Sequence, residues 1–373
     1  MLLMQFTQLC QLDLFPVLEQ ETGELSVHGK LLTEALSLTQ LHRFVHKQWR
    51  GRPRDDRRAL IAAFLAKSIH NFPTTRQLID RLKADAQLRS ICGWMSEAAV
   101  PSESTFSRAF ADFARRKLPE RIHEALVRLT QQERIVGHIA RDSTAIEARE
   151  KFPETPSQKR AKQQEKANKK PLPKQRSKNE GITARQRKMT LPEMMKGLSR
   201  DCSIGVKTNS KGHTNYWRGY KLHLDVADGQ IPVTAILTGA NVHDAKVAIP
   251  LMTMTTERVT YLYDVMDSAY DATAILAHSR QLGHEPVVDP NGRRATRKPS
   301  QLPKLFPAKP KPQLCPAKAD RYKERTMVER VNARLKDEFG GRTLRVRGPA
   351  KAMAHLMFGV IALTVDQLLK LIT

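Results

Sequence analysis

Apolar side chains recur at helical spacing through the first 130 residues. Residues 57–70 form one such segment, and a second follows Thr74-Thr-Arg-Gln77, whose spacing is typical of a capping box. A third helix opens at Pro101-Ser102, and its apolar positions share one face: Phe106, Ala109, Phe110 and Phe113. The pattern predicts an all-helical N-terminal domain over residues 1–130. Such a domain is compatible with helix-turn-helix DNA binding and equally with a plain packing role.

After Arg134 the periodicity changes, and strands alternate with helices. Short strands are predicted over residues 135–142, 259–266 and 285–289, and a hairpin over 220–226 and 231–237 that turns at Asp228-Gly229. Helices are predicted over residues 271–282, 321–338 and 350–372. This order predicts an α/β domain with a mixed sheet over residues 131–373.

The charge of the chain is strongly positive and unevenly distributed. Its 63 Lys and Arg against 38 Asp and Glu give a formal net charge of +25. Residues 151–210 hold 16 basic and 5 acidic residues, and residues 291–320 hold 8 and 1. Both segments are poor in aromatic residues, so we expect mobile arms or long loops. A solvated linker would explain either run alone, but two runs beside predicted strands favour contacts with DNA phosphates.

Cysteine usage and hydropathy point to an intracellular protein. The four cysteines lie far apart and form no C-x-x-C pair, which argues against a zinc ribbon or a disulfide framework. The longest apolar run, residues 356–365, is about half of the ~18 residues that span a bilayer. We therefore expect a cytoplasmic protein with no membrane partner.

The predicted helix after Arg321 has one narrow polar stripe. At about 100° per residue, Tyr322, Arg325, Glu329 and Lys336 share that stripe. The opposite arc is apolar and must face the core: Met327, Val328, Val331, Leu335 and Phe339. An ordinary ion pair between residues i and i+4 would also explain Arg325 beside Glu329.

Two aspartates end predicted strands, and together with the glutamate of the stripe they suggest a metal site. Asp142 and Asp267, together with Glu329, can supply the hard oxygen ligands that Mg²⁺ prefers. Two such ions can hold the attacking and leaving oxygens of a phosphoryl transfer. Asp264 is a weaker candidate than Asp267, because its side chain would face the other side of the sheet. Glu147 and Glu150 compete with Asp142 but lie beyond the predicted strand end.

These residues resemble bacterial insertion-sequence transposases of the DDE type. The four stripe residues match the family signature Y-x2-R-x3-E-x6-K without a gap. Asp142 looks like the first aspartate of the family and Asp267 like the second, although Ala269 stands where the family usually has glycine. The segments that start at Tyr216 and Asn241 also resemble the family strand and loop before the second aspartate. The helical N-terminus, from Arg52 to about Phe113, looks like the domain that precedes this core.

The resemblance implies a fold and a reaction. The fold is an RNase H-like core, a mixed five-stranded sheet with flanking helices. The reaction is cleavage at element ends followed by strand transfer into target DNA. Asp142, Asp267 and Glu329 would be catalytic and would bind Mg²⁺ or Mn²⁺, as two ions. The partners would be double-stranded DNA, as inverted repeats and target, and a second copy of the chain in a homodimer on paired ends. The location would be cytoplasmic and nucleoid-associated.

Roles for the remaining residues are less restricted. As cations, Arg325 and Lys336 suit DNA phosphates, whereas Tyr322 could orient a phosphate or simply pack. Trp217 could stack on a base, but a core position is favoured, as are structural roles for His138, His223 and His243. A tyrosine recombinase with Tyr322 as nucleophile is a second enzyme class, but it needs no carboxylate triad. A DNA-binding protein that no longer catalyses is the non-enzymatic alternative.

Overall fold

The computed structural model describes residues 23–45, 56–150, 181–208, 213–290 and 314–372. Helices precede the sheet in the chain: α1 (Val27–Thr39), α2 (Arg57–Ile69), α3 (Thr75–Ala84), α4 (Ala86–Cys92), α5 (Glu103–Arg115) and α6 (Leu118–Gln131). The later elements are β1 (Ile135–Glu147), α7 (Ile182–Gln186), α8 (Leu191–Lys196), β2 (Ser203–Thr208), β3 (Thr214–Ala227), β4 (Ile231–Gly239), α9 (Ala245–Thr256), β5 (Thr260–Met266), α10 (Thr273–Gln281), β6 (Glu285–Val288), α11 (Pro316–Tyr322), α12 (Thr326–Asp337) and α13 (Pro349–Ile372). Short 3-10 turns lie at Leu41–Phe44, Glu97–Ala99, Ser268–Tyr270 and Lys323–Arg325.

The sheet is mixed and runs β4-β3-β1-β5-β6. β3 pairs antiparallel with both β1 and β4, whereas β5 pairs parallel with β1 and β6. The expected α/β fold with an RNase H-like core is thereby confirmed. A sixth strand, β2, is added because β3 begins at Thr214 rather than Tyr220, and its first half pairs antiparallel with β2.

Three predicted segments differ from the structure. β1 does not end at residue 142 but continues to Glu147, since β3 supplies antiparallel partners for the whole extension. The helix predicted over residues 321–338 is divided into α11 and α12 by the 3-10 turn. The basic arm is ordered over residues 181–208, where α7, α8 and β2 form, because Met194 and Leu198 find buried positions. Residues 151–180, 209–210 and 291–313 of the two basic segments lie outside the described residues.

Helices cover both faces of the sheet. On one face, α9 and α10 pack against β5 and β6 through Ile249, Met252 and Ile275. On the other face lie α12 and α13, which join the main core. The apolar arc predicted for α12 is confirmed, because all of its members are at most 5% exposed: Met327, Val328, Val331, Leu335 and Phe339.

The N-terminal helices close their core around α13. Phe358 of α13 contacts Phe64 of α2 and Phe110 of α5, with ring centroids 5.9 and 6.3 Å apart. By length and hydropathy α13 could cross a membrane, but 83% of its most apolar window is buried in this core. The core is continuous across residue 130, so the division into domains 1–130 and 131–373 stays a prediction.

Candidate active site

The pairing of two parallel strands brings Asp142 and Asp267 together. Arg141 of β1 is paired with Met266, the last residue of β5, so the next residues along the two strands are Asp142 and Asp267. Asp267 then caps the turn that follows, accepting a hydrogen bond of 2.9 Å from the amide of Ala269. Asp142 continues in β1 opposite Leu224. Two carboxylates therefore sit side by side where the parallel pairing stops.

Both carboxyl groups are harder to ionise than usual. Burial raises the pKa of Asp142 to about 6, and the charge of Asp267 adds to the rise, while the amide of Ser143 opposes it. Burial also raises the pKa of Asp267, with a further contribution from Asp244. A cation placed between the two aspartates would relieve this repulsion.

The rival acid, Asp264, has a different environment. Arg141 lies wholly buried between Asp225, at 2.6 Å, and Asp264, at 3.2 Å. Asp264 also accepts hydrogen bonds from Ser279 at 2.6 Å and Tyr261 at 3.1 Å. The carboxylate charge of Asp264 is thus compensated by Arg141 inside the sheet. Of the acids that competed with Asp142, Glu150 accepts hydrogen bonds from the Tyr220 hydroxyl and the Gly348 amide, and Glu147 ends β1.

Glu329 is connected to the aspartates through Arg325. Its carboxylate forms an ion pair of 2.8 Å with Arg325, and the side chain is 47% exposed. The charge of Arg325 also acts on Asp142 and Asp267, lowering the pKa of each. Its guanidinium lies 5.7 Å from the ring centroid of Tyr322, and burial raises the pKa of that phenol. Arg325 therefore links the glutamate to the paired aspartates.

The donor set fits a divalent cation in part. Asp142 and Asp267 are neighbouring carboxylates, partly buried and mutually repelling, which is the chemistry that a hard cation stabilises. Within the described ranges, no group of three acid, histidine or cysteine side chains is arranged to ligate one ion. Glu329 stands apart because its carboxylate is paired with Arg325.

The site contains charged residues that sequence reasoning missed. Lys207, at the end of β2, lowers the pKa of both Asp142 and Asp267. Asp244 precedes α9 and forms an ion pair of 3.0 Å with Lys221. These residues come from separate elements, so no local motif marks them. Asn241-Val-His-Asp, which contains Asp244, was the one available signal.

Lys336 belongs to a cationic flank beside the carboxylates. Burial lowers its pKa, and the nearby charges of Arg342 and Lys207 lower it further. The charges of Asp337 and Glu147 oppose this effect, so Lys336 belongs to a mixed cluster in which the cations have the larger effect. Such a cluster favours an anionic partner.

An open basic cleft adjoins this flank. Its volume is about 410 Å³, and its walls include four arginines and two aromatic residues: Arg149, Arg218, Arg342, Arg345, Tyr216 and Trp217. The ring of Trp217 packs against Gly205, where a Cβ would lie 2.3 Å from the ring, and its indole N–H donates to the carbonyl of Tyr220. Trp217 is therefore a packing residue, whereas Tyr216 is 71% exposed.

The three histidines have structural partners or lie near the surface. His223 is buried with its Nε2 2.9 Å from the hydroxyl of Thr238, and burial lowers its pKa to about 4. His138 lies 3.1 Å from Asp228 and stacks on Tyr263. The ring of His243 accepts a hydrogen bond from the amide of Ala245.

Comparisons with known protein families account for both halves of the chain. The family model described as "Transposase DDE domain" matches residues 137–365, more than half of the chain. The model described as "Transposase domain (DUF772)" matches residues 19–112. A search of curated proteins finds no match. The first match spans nearly all of the sheet and the site, and the second spans the helices before them.

Proposed function

The chain belongs to the transposases with a DDE domain, and we propose that it cleaves DNA at the ends of a mobile element and joins those ends to target DNA. The observation that carries this proposal is the pair Asp142 and Asp267, side by side where two parallel strands part, with Arg325 near them and paired to Glu329. Members of this family use divalent metal ions.

The three acids divide the chemical work. Asp142 and Asp267 would hold Mg²⁺ or Mn²⁺, with Glu329 completing a site for two ions. When bound, such ions activate the attacking oxygen and stabilise charge on the transferred phosphoryl group. Burial keeps the pKa values of both aspartates raised, and the charge of Asp267 adds to the rise at Asp142. Their affinity for the metal should therefore increase with pH as the carboxyl groups lose their protons.

The cations would position the scissile phosphate. Arg325 would exchange the carboxylate of Glu329 for a DNA phosphate, which frees Glu329 to turn toward the aspartates. Lys336 would contact a neighbouring phosphate from the cationic flank, and Tyr322 would support the Arg325 guanidinium with its ring. DNA binding and assembly of the acids would then be coupled.

The path of the DNA follows from the same charges. The basic cleft beside β3 adjoins the flank, and Tyr216 offers an exposed ring on which a base can stack. Double-stranded DNA, as inverted repeat and as target, would lie across this surface, and a homodimer would hold paired ends. The protein would act in the bacterial cytoplasm at the nucleoid.

Comparison of wild type with Glu329→Gln tests the proposal. The substitution removes one charge but keeps the shape of an exposed side chain. We expect loss of nicking and joining of element-end DNA in Mg²⁺, with DNA binding largely unchanged. Glu324→Gln, five residues earlier in the chain and away from the polar stripe, is the matched control and should retain activity. Equal loss of cleavage and binding in Glu329→Gln would contradict a catalytic role.

Two further outcomes decide between classes of function. A covalent protein–DNA adduct on denaturing gels would assign the chemistry to a nucleophile such as Tyr322 and overturn the metal-dependent mechanism. No nicking or joining by wild type at any protein concentration would favour a DNA-binding protein that no longer catalyses.

A further inference from the structure

A second basic cavity lies between the N-terminal helices and α13. Its volume is about 510 Å³. Its walls come from α2, α5, the start of α3, the segment between α12 and α13, and the first turns of α13. Four basic side chains and one carboxylate line it: Lys67, Arg345, Arg347, Lys351 and Glu103.

Lys67 is the unusual member of this set. It belongs to α2, whose residues from Ala59 to Ile69 are all buried, and it is itself only 7% exposed. Its amine has no ion-pair or hydrogen-bond partner among the described residues. Burial alone lowers its pKa to about 8. A buried lysine is normally paired, so Lys67, buried and lining a cavity, is suited to bind an anion.

The rim of the cavity is also electropositive. Neither Arg345, Arg347 nor Lys351 forms an ion pair with any residue in the described ranges, and the two arginines are exposed. The one acid, Glu103, is 3.4 Å from Arg76. His355 is neutral here, because burial lowers its pKa to about 4 and the charge of Lys67 lowers it further.

Helix ends strengthen the same field. α3 begins at the cavity wall, where Thr74 and Thr75 lie, and α13 begins two residues before Lys351. The amides of a first helical turn lack partners within the helix and carry partial positive charge. Both helix N-termini therefore reinforce the positive charge around Lys67, and phosphate is among the anions that such ends bind.

We propose that this cavity binds a phosphate group, with Lys67 at its base and Arg345, Arg347 and Lys351 at its rim, and that the phosphate belongs to the backbone of bound DNA. Arg345 lines both this cavity and the basic cleft beside β3, so one strand can contact both. The DNA source rests on the proposed function, whereas the phosphate site does not. An isolated phosphate would satisfy the same residues.

Amine labelling of the wild-type full-length protein tests the site without any substitution. A lysine with a pKa of about 8 has a much larger neutral fraction near pH 7.5 than an ordinary lysine, so limited acetic anhydride should acetylate Lys67 through the cavity. Peptide mass spectrometry would follow Lys67 and, as control, Lys83, which lies exposed on α3. We expect duplex DNA and inorganic phosphate each to reduce acetylation of Lys67 at least fivefold and to leave Lys83 unchanged, relative to chloride at equal ionic strength.

Salt-dependent DNA binding provides the second measurement. Lys67→Met removes the charge with little change in length, and we expect it to weaken duplex binding and to reduce the slope of log affinity against log salt by about 0.9, the effect of one phosphate contact. Lys83→Met is the matched control and should bind like wild type. Circular dichroism would show that both variants fold.

The outcomes separate the sources of the phosphate. Protection by DNA together with the altered slope supports a backbone contact. Protection by inorganic phosphate alone supports the site but assigns it to a free phosphate. Protection by neither, or an unaltered slope with no protection, overturns the inference. If DNA protects Lys67 of the wild-type protein from acetylation but the protein never nicks that DNA, the proposed catalysis is contradicted and the phosphate site is retained.

Discussion

Two pairs of aspartates lie in or at the edge of one sheet, and their charges are compensated differently. Asp225 and Asp264 share the guanidinium of Arg141, and all three side chains are wholly buried. Asp142 and Asp267 are also neighbours, but neither forms an ion pair with another described residue. The first pair contains its cation, whereas the second offers its oxygens to a cation from outside. Burial raises the pKa of Asp225 as well as those of Asp142 and Asp267, so the enclosed guanidinium distinguishes the two pairs.

The difference separates structural from functional acids without reference to motif. A buried carboxylate beside an internal guanidinium contributes to the fold, and removing its partner leaves an uncompensated charge. A repelling pair at the end of a parallel pairing destabilises the fold and persists where function needs it. Substitutions in the first pair should therefore affect stability, and substitutions in the second should affect activity.

The largest effect is expected from Asp267→Asn. We expect nicking and joining of element-end DNA to fall by about 10²–10³-fold or more, the scale of losing one essential electrostatic group, while the thermal midpoint is retained. Asp264→Asn should do the reverse, with lower stability and near-normal activity in the folded fraction. Gel assays would measure activity and melting curves would measure stability. Equal loss of activity in the two variants would contradict the division into functional and structural aspartates.

Removal of the internal cation, Arg141, should lower the stability of the fold. Arg141→Met leaves two carboxylates buried together, and we expect the free energy of unfolding to decrease by about 3–5 kcal/mol. Urea denaturation measures this change. Arg325→Met, at the partly exposed pair, should change it by less than about 1 kcal/mol. A small loss in Arg141→Met would mean that the buried pair contributes little.

The second pair should depend on pH in a defined direction. The folded pKa of Asp142, about 6, exceeds its ordinary value of 3.8, so the folded state binds the proton more tightly. Stability should therefore fall as pH rises from about 4 to 6. Without divalent metal, Asp142→Asn should be more stable than wild type at pH 8, by on the order of 1–3 kcal/mol, and equal near pH 4.

Metal addition sharpens the same measurement. Mg²⁺ should stabilise wild type at pH 8 and have little effect on Asp142→Asn, because the variant lacks one of the two adjacent carboxylates. Urea unfolding in chelator and in Mg²⁺, at several pH values, would check both statements. Stabilisation of the two proteins to the same degree would indicate a metal site elsewhere.

The smallest effect on stability is expected from substitution of Glu329. An i,i+4 pair on a helix surface contributes a few tenths of a kcal/mol, so Glu329→Gln should have a melting curve close to that of wild type. A large loss of stability would show that Glu329 is structural and would remove the basis for its catalytic assignment.

Much of the fold follows from local periodicity. The hairpin of β3 and β4 forms where the sequence predicts it, and the buried face of α12 obeys the helical period that the sequence displays. Both faces of β4 are buried, so its side chains do not alternate between core and solvent. The extension of β1 beyond Asp142 does not, because it depends on pairing with β3, distant in the chain. The 3-10 turn at Lys323–Arg325 also has no proline or glycine to announce it.

The site was predictable only along single elements. The spacing of Arg325 and Glu329 follows from a helix, and the adjacency of Asp142 and Asp267 follows from the parallel pairing of β1 with β5, which stops at Arg141 and Met266. Lys207 reaches them only through the pairing of β2 with β3. Such a position depends on tertiary structure and cannot be read from its neighbours in the chain.

The alternation of side chains along β1 disfavours any shift of its pairing register. Arg141 and Asp142 are consecutive residues, so their side chains point to opposite faces of the sheet. A slip of one residue would put Asp142 between Asp225 and Asp264, three carboxylates without a cation, and would move Arg141 to the opposite face of the sheet. Misaligned chains are thus penalised electrostatically at the strand that supplies both Arg141 and Asp142. The register that encloses Arg141 between Asp225 and Asp264 is therefore also the one that brings Asp142 beside Asp267.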